Sequence, residues 1–181
     1  MGLKLSHAFI NVHDVDKVVP FYTDVLGFHI TDRGVIGEDT HAVFMSQDPE
    51  NHHQIALASR LEEGEPTRNL GHVAFRMETI DELRDLKAEL NARGIAIHRE
   101  ISHGNAWSLY FADPEGNGVE CFVDTPFHVS QPQGKPTDID LDDRALLEKT
   151  EADFDGESEF GAYTEWQNTF REKLAKDSGA A

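Results

Sequence analysis

The sequence predicts an α+β fold in which one unit, ordered strand, helix, strand, strand, strand, occurs twice. Three paired features predict it: two similar segments that each contain a histidine, two helix patterns that each end at a glycine, and two Asp-Pro-Glu turns. The resulting βαβββ modules cover about residues 5–60 and 69–125. We therefore expect a domain of two tandem modules over residues 1–130 and a mostly helical, acidic extension over residues 131–181.

The histidine segments predict the first strand of each module. Residues 5–10 have the sequence LSHAFI and residues 70–75 have the sequence LGHVAF. Both are mostly apolar, as half-buried or buried strands are. Their histidines, His7 and His72, are 72 − 7 = 65 positions apart and so occupy equivalent places in the repeat.

A helix is predicted after each of these strands. Apolar side chains recur at helical spacing over about residues 15–26 and again over about residues 80–92. Each pattern ends at a glycine, Gly27 or Gly94, which suits the left-handed residue that closes many helices. A short strand is expected directly after each glycine, at residues 28–30 and 95–97.

The last two strands of each module flank a turn. The Asp-Pro-Glu triplets at residues 48–50 and 113–115 are again 113 − 48 = 65 positions apart, and their composition is typical of turns. Strand-like runs lie on both sides of each triplet, at residues 42–45, 54–57, 108–111 and 119–123.

The chain changes character after about residue 127. Proline and glycine in residues 131–136 predict a linker. Two helices are expected beyond it, at about residues 141–153 and 162–175. The second carries large apolar residues at helical spacing and is expected to pack back onto the domain, with a lid or a dimer contact as the alternative; these residues are Tyr163, Trp166, Phe170 and Leu174.

Composition excludes several classes of partner. There are 34 acidic and 16 basic residues, so the formal net charge is −18, which repels nucleic acids and anionic membrane surfaces. No apolar stretch approaches the roughly 20 residues of a membrane span, and the N-terminus lacks the apolar core of a signal peptide. The single cysteine, Cys121, excludes an internal disulfide and a thiolate metal cage. We expect a cytoplasmic protein.

A metal site is predicted from residues that share the repeat. His7 and His72 stand at equivalent strand positions, from which both side chains can converge on the axis between the modules. Taken singly, each would more often be a core or edge residue than a ligand. Glu120 lies in the middle of a predicted strand, where an unpaired carboxylate is rare. Two imidazoles and one carboxylate form the ligand set of a non-heme Fe(II) site, and Mn(II) is the alternative metal.

The position equivalent to Glu120 limits the number of ligands. It is residue 120 − 65 = 55, which is Ile55 and cannot bind a metal. Three protein ligands leave coordination positions for a substrate and for oxygen. His53 lies two residues before Ile55, so its side chain is expected to face the same interior. The adjacent His52 indicates that one histidine of this pair is a surface residue.

Two further residues could act beside the metal. His103 and Tyr110 lie just before and on the strand that precedes the strand of Glu120. Histidine can accept and return a proton near neutral pH, and tyrosine can donate a hydrogen bond to a developing oxyanion. The alternative for His103 is an exposed loop histidine without a function.

The doubled module resembles the vicinal oxygen chelate superfamily, which includes glyoxalases, antibiotic-resistance proteins and type I extradiol dioxygenases. The extradiol branch is the most similar. Its members bind their metal through a histidine on the first strand of each module and a glutamate on the last strand of the second. His7, His72 and Glu120 match these positions.

The catalytic residues of that branch also have matches. Its catalytic histidine is the second in a His-His-x-hydrophobic-Ala-hydrophobic segment, which matches His53 in residues 52–57. Another histidine precedes a tyrosine that lies ten residues before the glutamate. Tyr110 has this spacing, since 120 − 110 = 10, and His103 is its companion.

The resemblance covers about residues 1–130 and implies an open mixed-sheet barrel around the metal. It implies an Fe(II)-dependent dioxygenase that cleaves a catechol-type ring beside its hydroxyl groups with O₂, and a homodimer or higher homo-oligomer is expected. The familiar extradiol enzymes have four modules and this sequence has two, so it resembles the single-domain kind. The sequence does not indicate the ring substituents: several aromatic residues would line a pocket or form plain core, namely Phe9, Phe75, Trp107 and Phe122.

Two other functions remain open at the level of the sequence. A glyoxalase-like isomerase or epimerase would use four protein ligands, and Ile55 argues against that number. A metal-free protein of the same fold that sequesters a drug would lack the full ligand set. Oxygen consumption distinguishes the dioxygenase from the first alternative, and metal content distinguishes it from the second.

Overall fold

The protein is a mixed α+β structure. The computed structural model describes residues 7–36, 38–48, 52–62, 64–65 and 70–177. These residues form two compact units, one within residues 1–73 and 112–119 and the other within residues 74–111 and 120–181. Each unit is described by itself. The predictions for residues 5, 6, 49, 50 and 69, and for the side chain of Leu174, lie outside the described residues.

The first unit is built on a four-stranded mixed sheet. The strand order is β1-β4-β3-β2. The first pair, β1 with β4, is parallel, and the other two pairs are antiparallel. The strands are β1 (Ala8–Val12), β2 (His29–Ile36), β3 (Thr40–Ser46) and β4 (Ile55–Ser59).

One helix follows β1 and changes its winding at a proline. Helix α1 (Val15–Pro20) continues into a π-helical turn, Phe21–Val25. Pro20 has no N–H group and therefore interrupts the regular α-helical hydrogen bonds. In the turn after Pro20, the N–H of Leu26 bonds to the carbonyl of Phe21, five residues back. The helix predicted over residues 15–26 is thus present, and its last turn is wider than an α-helix.

A second sheet has five strands in the order β10-β6-β7-β8-β5. Its strands β5-β8-β7-β6 follow the same order as β1-β4-β3-β2 in the first sheet. A separate pair joins β9 to β11. The strands are β5 (Val73–Arg76), β6 (Arg99–Ser102), β7 (Ala106–Ala112), β8 (Gly118–Asp124), β9 (Phe127–His128), β10 (Lys135–Pro136) and β11 (Gly161–Ala162).

Helix α2 (Ile80–Ala92) has the bounds that the sequence predicts. Thr79 caps its first turn and Glu82 bonds back to the cap, which satisfies N–H groups that a helix start leaves open. Its buried face is formed by Leu83, Leu86 and Leu90. Burying each leucine contributes about 1.5–3 kcal/mol, so the apolar stripe holds the helix in place.

The strand predicted at residues 95–97 is wrong. The N–H of Gly94 bonds to the carbonyl of Asn91 and the N–H of Ile95 bonds to the carbonyl of Leu90. These two bonds, with Gly94 at φ +70°, form a Schellman motif that closes α2. The backbone of Ile95 therefore completes the helix end, and the strand begins only at Arg99.

Two more helices lie near the C-terminal end of the described chain. Helix α3 (Asp143–Phe154) starts at the capping side chain of Asp142, and its Thr150 accepts a 2.8 Å hydrogen bond from the indole of Trp107. Helix α4 (Tyr163–Asp177) begins beside β9. Both lie within a few residues of the predicted positions, and the domain boundary at residue 130 remains a prediction. None of the helices in the described ranges is long and apolar enough to cross a membrane.

Candidate functional site

Three of the predicted site residues form a hydrogen-bonded chain in the second unit. Nε2 of His103 lies 2.7 Å from the hydroxyl of Tyr110. That hydroxyl donates to Oε1 of Glu120 at 2.8 Å. The three side chains come from the loop after β6, from β7 and from β8, which are consecutive in the sheet. The chain therefore joins an imidazole to a carboxylate through one phenol.

A tight turn positions His103. Its N–H bonds to the carbonyl of Ala106, which closes the β6–β7 hairpin. Gly104 has φ +80°, and a Cβ there would lie 2.4 Å from Cγ1 of Val129. Glycine is required at this position for both reasons. The ring is then fixed by a hydrogen bond between Nδ1 of His103 and the backbone carbonyl of Gln133.

The partners of His103 fix the proton on one of its ring nitrogens. A carbonyl only accepts, so Nδ1 of His103 carries a proton and donates to Gln133. The hydroxyl of Tyr110 donates to Glu120, and its oxygen also lies within hydrogen-bonding distance of Nε2 of His103.

The environment of Tyr110 keeps its phenol protonated. Burial raises the pKa of Tyr110, and the hydrogen bond to Glu120 and the charge of that carboxylate raise it further. The guanidinium of Arg99, 4.6 Å from the ring centre, acts in the opposite direction. Arg99 and Tyr110 are direct cross-strand partners, which explains this contact. The phenol is thus a hydrogen-bond donor at neutral pH.

A separate group of histidines lies in the first unit. His7 directly precedes β1 and His53 lies two residues before β4. These two strands run parallel, with Ala8 opposite Ile55. Their ring centres are 4.3 Å apart. Nδ1 of His53 lies 3.0 Å from Nδ1 of His52, so His52 is a contact of His53 and not only a surface residue. Desolvation lowers the pKa of His53, and the charges of His7 and His52 lower it further.

His72 is held by a close approach that the sequence pattern does not indicate. A Cβ at Gly118 would lie 2.4 Å from the carbonyl oxygen of Gly71 and 3.2 Å from Cβ of His72. Only glycine therefore lets β8 begin next to His72. Glu120 follows two residues later on the same strand and is only 8% exposed. Gly118, Arg99 and the carbonyl of Gln133 are contacts that sequence analysis missed.

The aromatic residues considered for a pocket have different environments. Trp107 is buried and its indole N–H bonds to Thr150, so it is a core residue. Phe9 is 40% exposed and packs against the guanidinium of Arg60. Phe122 has a guanidinium, that of Arg76, over its ring.

Comparison with known proteins places the chain in a family. A profile of the Glyoxalase/Bleomycin resistance protein/Dioxygenase superfamily matches residues 4–121. The chain belongs to this superfamily. This result agrees with the mixed α+β structure, whereas the two tandem modules and the C-terminal helical extension remain predictions.

Several curated members of the superfamily are similar in sequence. Biphenyl-2,3-diol 1,2-dioxygenase 3 of Rhodococcus globerulus is 33% identical over 126 residues, which are 67% of this chain and 63% of that enzyme. Lactoylglutathione lyase of Schizosaccharomyces pombe is 28% identical over 158 residues, which are 74% of this chain and 49% of the lyase. The chain thus matches less than two thirds of the length of either protein.

Solved structures of superfamily members share the fold. A glyoxalase/bleomycin resistance protein/dioxygenase domain from Frankia has a TM-score of 0.58 at 23% identity and covers 69% of this chain and 100% of its own. The fosfomycin resistance protein FosX of Listeria monocytogenes, in a complex with Mn(II), has a TM-score of 0.54 at 20% identity and covers 69% of this chain and 95% of its own.

Superfamily members bind divalent metals, and the predicted donors here have suitable chemistry. Two imidazoles and a carboxylate are ligands for Fe(II) or Mn(II). The described parts of the chain contain no group of three or more His, Cys, Asp or Glu residues placed to hold a metal. His7 and His72 belong to the first unit and Glu120 to the second. The ligand set therefore remains a prediction.

Proposed function

We propose that this chain is an Fe(II)-dependent extradiol dioxygenase that uses O₂ to open a catechol-type ring beside its two hydroxyl groups. The observation that carries the proposal is the chain of hydrogen bonds from His103 through Tyr110 to Glu120. It links Glu120, the one carboxylate of the predicted ligand set, to the imidazole of His103 through the hydroxyl of Tyr110. The similarity to two biphenyl-2,3-diol 1,2-dioxygenases, at 33% and 31% identity, supports it.

The proposal includes the architecture and assembly of the site. Two tandem βαβββ modules would form an open barrel around the metal, followed by a helical C-terminal extension, and the chain would form a homodimer or higher homo-oligomer. His7, His72 and Glu120 would hold Fe(II), with Mn(II) as the alternative. The bound metal would supply a Lewis acid that binds the substrate oxygens and a redox centre for O₂. Size-exclusion chromatography with light scattering tests the assembly.

His53 would act as the base that receives a proton from the substrate. Its pKa is lowered, so the imidazole is neutral at neutral pH and has a lone pair available. A catechol hydroxyl must lose its proton to bind a cation strongly through oxygen. Because His7 lies 4.3 Å from His53 between ring centres, a substrate oxygen near His7 would also be near this base.

His103 and Tyr110 would supply hydrogen bonds and a proton to the reacting oxygen atoms. Nδ1 of His103 bonds to a carbonyl, and the hydroxyl of Tyr110 donates to Glu120. If this hydroxyl turns away from Glu120, it can donate to negative charge that develops on a substrate oxygen. Nε2 of His103, which lies 2.7 Å from the hydroxyl of Tyr110, is placed to exchange a proton with it.

Oxygen uptake tests the proposal directly. Protein loaded anaerobically with Fe(II) is mixed with catechol, 3-methylcatechol or 2,3-dihydroxybiphenyl under air. We expect O₂ consumption together with a yellow ring-opened product. Tightly bound iron without O₂ uptake on any of the three would contradict ring cleavage of these catechols and favour non-oxidative metal chemistry.

A pair of histidine variants separates catalysis from metal binding. His53→Phe should retain iron and lose turnover, because the base is removed and no ligand is. His29→Phe is the matched control, since His29 is an exposed histidine on β2 of the same unit. Normal turnover by His53→Phe would refute the role assigned to His53.

The isomerase alternative requires a fourth protein ligand. Ile55, at the position equivalent to Glu120, is 2% exposed and pairs with Ala8 in the sheet core. An apolar residue at this position supports a set of three ligands. Conversion of methylglyoxal and a thiol without O₂ uptake would favour the isomerase.

A further inference from the structure

A cavity in the second unit is not used by the proposed reaction. It measures about 460 Å³ and lies where β9 and β11 meet the first two turns of α4. This size is within the range of small-molecule sites, about 300–1,000 Å³. We call this cavity the α4 groove. Its lining includes His128, Glu159, Phe160, Glu165, Trp166 and Phe170.

Aromatic rings line the α4 groove and are partly open to water. The ring of Trp166 is stacked with those of His128 and Phe170, at centroid distances of 5.0 and 5.3 Å. Phe160, also in the lining, is stacked on Phe127 at 5.3 Å. Phe170 is nonetheless 43% exposed. Aromatic area left in water next to a cavity favours a ligand that has an apolar body.

The lining of the α4 groove also carries negative charge. Glu159 and Glu165 both line it, and no lysine or arginine is among the lining residues. Hydrogen bonds from Ser130 and His128 hold the pKa of Glu159 below its ordinary value, so this carboxylate is ionised at neutral pH. An anionic ligand would be repelled by these carboxylates and by the net charge of −18.

Two residues of the groove lining have unusual local features. Glu159 has φ +58° and is the one non-glycine residue with positive φ in the part of the chain that the structure describes. This conformation costs about 1–2 kcal/mol, and such strain is concentrated at binding sites. His128 is 9% exposed, and its Nδ1 is buried with no hydrogen-bond partner among the described residues.

We propose that the α4 groove binds a small organic cation, an ammonium group attached to an apolar or aromatic body. The apolar body would lie against Phe160, Trp166 and Phe170, and the ammonium would face Glu159 and Glu165. Aromatic faces attract cations in addition to burying apolar area. A metal ion fits less well, because the described residues include no group of three carboxylate, imidazole or thiolate ligands here.

Calorimetric titration with 2-phenylethylammonium tests the proposal on the full chain. We expect saturable binding that weakens as salt concentration rises, because the charge contribution is screened. The neutral 2-phenylethanol and the anionic 3-phenylpropionate should bind more weakly, in that order. Equal binding of the three probes, or no saturable binding of the ammonium, would overturn the proposal.

Charge variants locate the binding on the protein. Glu159→Gln and Glu165→Gln should each weaken 2-phenylethylammonium binding by about two- to fivefold, the range expected for an exposed ion pair. Glu172→Gln is the matched control, since Glu172 is an exposed acid on the same helix outside the groove lining. If all three variants bound like the original chain, the ammonium would bind elsewhere and the proposal would fail. Oxygen uptake is not needed for any of these measurements, so the outcome is independent of the proposed dioxygenase activity.

Discussion

The two histidine-containing groups differ in what surrounds each imidazole. In the first unit, His53 lies against two other imidazoles, those of His7 and His52. In the second unit, His103 lies between a carbonyl and a phenol that leads to a carboxylate. Desolvation and the two neighbouring imidazoles disfavour a positive charge on His53, whereas both ring nitrogens of His103 face oxygen atoms. The same residue type therefore meets two different electrostatic environments in the two units.

Removing the carboxylate of Glu120, at the end of the hydrogen-bonded chain in the second unit, should have the largest effect, which is on metal binding. Glu120→Gln takes away a predicted metal ligand and the acceptor for Tyr110. We expect metal affinity to fall by more than about 100-fold, since loss of an outer contact alone costs 10–100-fold. Metal content after dialysis measures this. Asp124→Asn, on the same strand and paired with Arg76 at 3.3 Å, should retain the metal; equal retention by Glu120→Gln would remove Glu120 from the ligand set.

Removing the hydroxyl in the middle of the hydrogen-bonded chain should separate proton transfer from metal binding. Tyr110→Phe keeps the ring and its contact with Arg99 but removes the hydroxyl that joins His103 to Glu120. We expect kcat to fall by about 100-fold or more while metal content is unchanged, as is usual for loss of an acid–base group. Tyr163→Phe, on α4, should have normal kcat. Unchanged kcat in Tyr110→Phe would mean that the hydrogen-bonded chain has only a structural role.

A stability measurement tests the contact that holds His72. In Gly118→Ala the new Cβ would lie 2.4 Å from the carbonyl oxygen of Gly71, so the strand must shift. Overpacking of this kind costs about 1–3 kcal/mol of unfolding free energy. Urea denaturation measures it. Gly34→Ala is the control, because a Cβ at Gly34 meets nothing within 4 Å. Equal stability of the two variants would show that β8 can move away from His72 without cost.

The smallest expected effect concerns the pH dependence of the first group. His53 is a base only when neutral, so kcat/KM should fall as the pH drops through the pKa of His53. That pKa is lowered first by desolvation and then by His7 and His52. In His52→Gln one of these charges is gone, so the pKa of His53 rises and the acidic limb of the profile moves to higher pH. A limb that does not move, or moves to lower pH, would show that His52 does not act on His53.

The comparison also shows how much of the structure can be predicted from the sequence. Helix α2 was predictable because its leucines recur at helical spacing and Gly94 closes it. The strand expected at residues 95–97 is absent, and its prediction was wrong because a short apolar segment is typical both of a strand and of the residues that follow a Schellman motif. The π-helical turn at Phe21–Val25 was not predictable, because the apolar spacing over residues 15–26 is that of an ordinary helix.

The sequence indicated one group of side-chain contacts at the candidate site, and it did not indicate the backbone contacts. The pairing of His103 with Tyr110, expected from their spacing to Glu120, is present. The partner of Nδ1 of His103 is the backbone carbonyl of Gln133, 30 residues away. Every residue has a backbone carbonyl, so the residue type at position 133 does not indicate this contact. The contact of His52 with His53 was missed because adjacent histidines suggested one exposed residue.

The turn that carries His103 has a consequence for how this protein can be shortened or recombined. Thr125 and Gln131 each bond to backbone atoms of this turn, and Gln133 holds the imidazole itself. A truncation at residue 130 would remove Gln131 and Gln133, so Nδ1 of His103 would lose its carbonyl partner and only the bond to Tyr110 would orient the ring. The segment after β8 is therefore needed to orient His103. Engineered fusions or circular permutants should retain this segment together with the β6–β7 hairpin.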